Sequence, residues 1–72
     1  MHLKTLIKII KERRKDMQVT QKTLADLSGV SLRTLKQFES GKGNPTLLTL
    51  QKLADVLGLE VSLKIKNMTH NR

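Results

Sequence analysis

Apolar residues recur at spacings of three and four over the start of the chain: Leu3, Leu6, Ile7 and Ile10, with Arg14 continuing the stripe. That period predicts an amphipathic helix over residues 3 to about 16. "MQV" at 17–19 is a short link. Thr20 is placed to N-cap a second helix, 21–28, with Leu24, Ala25 and Leu27 turned inward. A capping box would put Glu or Gln three residues after the cap, and Thr23 stands there instead. Gly29 supplies a left-handed turn, and Ser31 caps a third helix, 32–40, whose Leu35 and Phe38 face the core. "GKGNP" at 41–45 concentrates turn residues. Thr46 then caps a fourth helix, 47–57, with Leu47, Leu50, Leu53, Ala54 and Leu57 along one stripe and Gly58 to stop it.

After Gly58 the period changes. Leu59, Val61, Leu63 and Ile65 alternate with Glu60, Ser62, Lys64 and Lys66, the pattern of a strand with one buried face. No second strand is visible upstream, and a lone strand leaves its backbone donors and acceptors unmet. Two copies of 59–66 paired antiparallel about a two-fold axis would meet that need. The chain therefore divides into a helical unit, 1–58, a dimerisation strand, 59–66, and a flexible polar tail, 67–72. The fold class is mainly α with a C-terminal β-strand pairing across a dimer.

Length and composition narrow the function. Seventy-two residues make one small domain, and the absence of cysteine removes disulfides and thiolate metal sites as a source of stability. Burying apolar surface against a second copy is then a natural recourse. Fourteen Lys and Arg against six Asp and Glu give a formal charge of +8, which favours an anionic partner. Phe38 is the sole aromatic residue, so stacking on single-stranded nucleic acid is not expected. "LKTLIKII" is broken by Lys4 and Lys8 and is too short to span a bilayer, which points to the cytoplasm and no membrane partner. His2 and His70 have no Cys or acidic cluster at ligand spacing, and no nucleophile grouping is visible. "GKGNP" follows a helix rather than a strand, unlike a phosphate-binding loop. No enzyme activity and no cofactor are expected.

Two short helices joined by a turn of about three residues with a glycine have the shape of a helix-turn-helix. Ala25 must be small where the helices cross, Gly29 must accept positive φ, and Leu24, Val30, Leu35 and Phe38 must fill the junction. All lie within "TQKTLADLSGVSLRTLKQFESGKGNPT". That span, with "LQKLA" after it, resembles the helix-turn-helix of the phage-repressor, Cro and xenobiotic-response-element (XRE) regulators over residues 4–58. The resemblance implies a lambda-repressor-like four-helix domain, a transcriptional repressor, and binding to double-stranded DNA.

In such proteins the third helix presents its first residues to base edges in the major groove. Leu32, Arg33, Thr34, Lys36 and Gln37 are the outward positions. Arg33 suits guanine, Gln37 adenine and Leu32 a thymine methyl, although the family usually has a polar residue where Leu32 stands. Gln21 at the second helix's N-terminus, with Lys22, Lys42, Gly43 and Asn44, is placed for phosphates. Ser31 either caps its helix or contacts phosphate. By resemblance Arg14 and Glu39 pair as a structural brace of the recognition helix. Lys11, Arg13 and Lys15 are read as a solvated face.

Regulators of this type bind palindromic operators as dimers, which gives the strand its purpose through Leu59, Val61, Leu63 and Ile65. Many phage-type members carry a fifth helix there. A strand in its place is similar to the HipB-type antitoxins, implying autorepression of an operon and binding of a HipA-type kinase toxin. A stand-alone repressor, or a protein that chiefly restrains a partner enzyme, are the alternatives. Membrane-surface binding by the basic first helix is a further one, but Leu3, Leu6, Ile7 and Ile10 are more simply explained as core.

Overall fold

A computed structural model describes residues 2–63, and its regular structure consists of helices α1 (Leu3–Asp16), α2 (Gln21–Ser28), α3 (Leu32–Glu39) and α4 (Leu47–Val56). The starts of α2, α3 and α4 share one device. Thr20, Ser31 and Thr46 sit in extended backbone, and their hydroxyls accept from the backbone N–H of Thr23, Thr34 and Thr49. Each capping hydroxyl also donates to the hydroxyl of that same threonine, at 3.0, 2.9 and 3.0 Å. Threonine stands where a capping box has Glu or Gln, but it accepts from the cap's hydroxyl rather than from the cap's backbone N–H. Removing one such hydroxyl leaves an N–H of the first turn unmet. Thr46→Ala is expected to destabilise the protein by about 1 kcal/mol, read as a lowered urea midpoint with unchanged slope.

The ends are equally specified. Gly29 turns the chain at φ 77, with open space where a Cβ would lie, so backbone conformation alone demands glycine. Gly58, at φ 69, closes α4 in a Schellman arrangement. Leu59 N–H reaches Ala54 O at 2.8 Å, and Leu59 packs against the core beyond. Between α1 and α2 the chain reverses through Gln18, a non-glycine residue at φ 58.

Leu24, Leu35, Leu53 and Leu57 are 0% exposed and form the centre of the core. Ile10, Ala25, Val30 and Phe38 surround them, with Ile7, Val19, Leu32, Leu50 and Val56 half-buried against the cluster. α2 packs on both α3 and α4, and α1 packs on α3. The sequence pattern misplaced three leucines, the first of them Leu3, which is exposed at the start of α1. Leu27 is 65% exposed because it lies roughly 100° around α2 from the inward side shared by Leu24, Ala25 and Ser28. Leu47 keeps to the stripe of α4 but is exposed, since the helix's first turn projects past the elements that cover the rest.

The expected strand is not formed over its described residues. Leu59–Leu63 has no regular structure, while Lys64, Ile65 and Lys66, like the tail 67–72, lie outside the described residues. A ladder requires a second strand, and none of the described residues offers one. Leu59 is half-buried on the core and Val61 is half-buried, but Leu63 is 99% exposed. None of the described helices is long and apolar enough to cross a membrane.

Candidate nucleic-acid interface

α3 buries Leu35, Phe38 and Glu39, so its opposite side faces solvent. Arg33 and Gln37, four residues apart, form the outer ridge and are exposed. Thr34 flanks them on one side, within a shallow depression shared with Gln37, Lys42, Gly43, Asn44 and Pro45. Gln37 lies over the loop: a Cβ built on Gly43 would sit 3.8 Å from Gln37 Cβ. Lys36 flanks the ridge on the other side, beside Gln21, Lys11 and Lys15. Leu32 is turned from the ridge and packs half-buried against the core.

Behind α3 a buried network fixes its angle. Arg14 and Glu39 form a bidentate ion pair, Nε to Oε2 at 2.7 Å and Nη2 to Oε1 at 2.9 Å. Arg14 Nη1 also donates to Val19 O at 2.8 Å, tying the α1–α2 link to the same point. Gln21 Nε2 donates to Glu39 Oε1 at 3.1 Å. Because a carboxylate only accepts, this bond assigns the amide: its NH2 faces Glu39, and one N–H remains for an anion. Every buried side-chain donor and acceptor among the described residues has a partner. The N-terminus of α2, the link before it and the end of α3 are therefore held by one cation.

The remaining candidates divide by position. Ser31 uses its hydroxyl as the cap of α3. Lys22 makes an exposed i,i+4 pair with Asp26 at 3.3 Å, an interaction worth little in water. Lys42, Gly43 and Asn44 are exposed beyond the end of α3. Arg13, read from sequence as part of a solvated face, donates from Nε to Leu57 O at 2.8 Å and lies against Gly58. It caps the C-terminus of α4, a role that no local spacing signals because its partner is distant in sequence. The Gln21–Glu39 bond was missed for the same reason. Among the described residues no group of three or more His, Cys, Asp and Glu could hold a metal ion.

A ridge of two long polar side chains, a capped N-terminus at each flanking helix and the tight Gly29 turn make up a helix-turn-helix. Residues 10–64 match the helix-turn-helix family HTH_3. The chain belongs to that family, of XRE type. It is 45% identical over 56 residues to the cryptic phage CTXphi transcriptional repressor RstR of Vibrio cholerae, a match spanning 72% of this chain and 50% of that protein. It is 40% identical over 65 residues to an uncharacterized HTH-type transcriptional regulator of Haemophilus influenzae, spanning 86% of this chain and 66% of that one. It is also 40% identical over 53 residues to the immunity repressor protein of Bacillus phage phi105, across 74% of this chain and 37% of the repressor. The chain thus spans about half the length of RstR and less of the phi105 repressor.

Proposed function

We propose that this HTH_3 protein is a sequence-specific, double-stranded DNA-binding transcriptional regulator that acts as a repressor, bound as a homodimer to a palindromic operator. The observation that carries it is the outer face of α3. Arg33 and Gln37 stand out as the ridge, Thr34 and Lys36 flank them, and Leu32 is given to the core instead. Arg33 and Gln37 have the donor and acceptor sets for guanine and adenine in the major groove. Gln21 on one side, and Lys42, Gly43 and Asn44 on the other, take the phosphates that set the register. Lys22 adds charge nearby, and Ser31 acts through its cap.

One recognition helix reads too few base pairs to single out a site, so two copies are required. The segment from Leu59 borders an apolar groove lined by Leu6, Ile9, Leu50 and Ala54. Leu59, Val61, Leu63 and Ile65 of two copies, paired antiparallel over such grooves, form the dimer. Selection from random duplexes is expected to return a two-fold symmetric site whose half-sites lie about one helical turn apart. The absence of any enriched sequence would sink the proposal. Leu63→Pro removes a ladder donor from an exposed position and is expected to shift the protein toward monomer in sedimentation equilibrium. An unchanged dimer would place the interface elsewhere.

A HipB-type antitoxin bound to a HipA-type kinase, or an inhibitor of some other enzyme, would use the same DNA face. That version rests on segment 59–66 alone. The relatives are named as phage repressors and HTH-type regulators, which favours a repressor without a toxin partner.

A further inference from the structure

Lys4, Lys8, Lys11 and Lys15 follow one another at spacings of four, three and four, which sets them within roughly 60° of one another around α1. They form a track roughly 16 Å long. Two shallow depressions run along it and share Lys11, Glu39 and Ser40. One is bordered by Lys4, Lys8 and Lys11, the other by Lys11, Lys15, Lys36 and Gln21. The track is therefore continuous with the surface where Lys36 of α3 and Gln21 of α2 meet. Two acids border it: Glu39, buried and engaged by Arg14 and Gln21, and Glu12, exposed on α1 and in no ion pair among the described residues. None of the track lysines has an ion-pair partner among the described residues, where the pairs are Arg14–Glu39 and Lys22–Asp26.

A row of four lysines without ion-pair partners among the described residues, with only Ile7, itself half-buried, beside it in the depression, suits a polyanion rather than a lipid surface. Membrane-surface helices bury an apolar face in the bilayer, whereas Ile7 and Ile10 of α1 are packed on the protein core. About 16 Å of duplex axis carries about five phosphates of one strand, but the strand winds through about half a turn over that length, so a straight track reaches about two of them. We propose that the lysine track of α1 grips the DNA backbone flanking the half-site, beyond the bases that α3 reaches. This rests on the DNA-binding role of the α3 face and extends its footprint. The track supplies affinity and no sequence information.

The test compares the full-length protein with Lys4→Gln/Lys8→Gln/Lys11→Gln/Lys15→Gln on the selected operator, in duplexes with long flanks and in duplexes trimmed to the half-sites. Each phosphate that a lysine no longer neutralises lowers the slope of log K against log salt by about 0.9, so two per protomer give a drop of about 3–4 for the dimer. The parent is expected to lose affinity when the flanks are trimmed, and the variant is not, while both select the same sequence. Lys8→Gln is set against Lys52→Gln, the same charge change on an exposed site of α4; only the former is expected to weaken flank dependence. A quadruple variant that retains the parental slope and flank dependence overturns the track. A parent that binds no DNA sequence-specifically overturns the α3 reading itself, which is a distinguishable result. Unchanged urea midpoints confirm that neither outcome reflects unfolding.

Discussion

Arg14→Ala is expected to leave little folded protein in mild urea. Arg14 is 9% exposed, and Glu39, whose carboxylate it holds, is 5% exposed. Removing one member of a buried pair typically costs about 3–5 kcal/mol, because the other charge stays behind without its partner. At about 0.05–0.15 kcal/mol per residue, a chain of this length has roughly 4–11 kcal/mol in total. The substitution also strips Val19 O of its donor and leaves Glu39 with Gln21 alone. Urea unfolding followed by far-ultraviolet circular dichroism reads the loss. Arg14→Met combined with Glu39→Leu separates the charge from the site. Without a buried carboxylate to strand, the double variant is expected to recover much of the stability. An Arg14→Ala variant that lost less than about 1 kcal/mol would show the pair to be dispensable.

Three of the four helices owe their legibility to short-range chemistry. Thr20, Ser31 and Thr46 each start a helix by bonding to a group three residues on, and Gly29 and Gly58 each end one at a positive φ. Such signals need no knowledge of the rest of the chain. The first helix was legible from its apolar period, which placed Ile10 and Arg14 on the buried side. What was not legible depends on interactions between distant residues. Arg13 closes α4 across a separation of 44 residues, and nothing near Arg13 in the sequence distinguishes it from Lys11 or Lys15. Leu47 fits the apolar stripe yet stays exposed, because a pattern specifies direction around a helix more finely than what lies opposite, whereas Leu27 lies off the inward side of α2 altogether. Leu32, expected at the base edges, is half-buried and also packs against the core. The strand had clear alternation but, among the described residues, no partner. In the proposed dimer the second copy supplies the ladder.

Within the candidate interface, the buried network decides what the surface residues can offer. Glu39 takes one N–H of the Gln21 amide, which fixes the amide's orientation and leaves the other N–H as a donor. Arg14 in turn fixes Glu39. The residues that touch DNA in the proposed complex are thus few, and those that aim them lie inside.

Arg33→Ala is expected to cost the dimer most of its sequence preference. Arg33 is exposed on the ridge of α3 and has no ion-pair partner among the described residues, so its removal leaves the fold unburdened. A bidentate bond to guanine is worth about 1–3 kcal/mol of discrimination, roughly 5- to 150-fold, and a two-fold dimer forgoes it in both half-sites. On the selected operator, binding should fall by at least that factor, while binding to unrelated DNA changes only by the loss of one charge per protomer. Repeating the selection with the variant is expected to relax one symmetric pair of positions and leave the others. Arg33→Lys sharpens the result: it keeps the charge but not the planar fork, so it should behave like Arg33→Ala in specificity and like the parent in salt dependence. If Arg33→Ala instead weakens operator and random DNA by the same factor, Arg33 contacts phosphate, and base readout passes to Gln37 and Thr34.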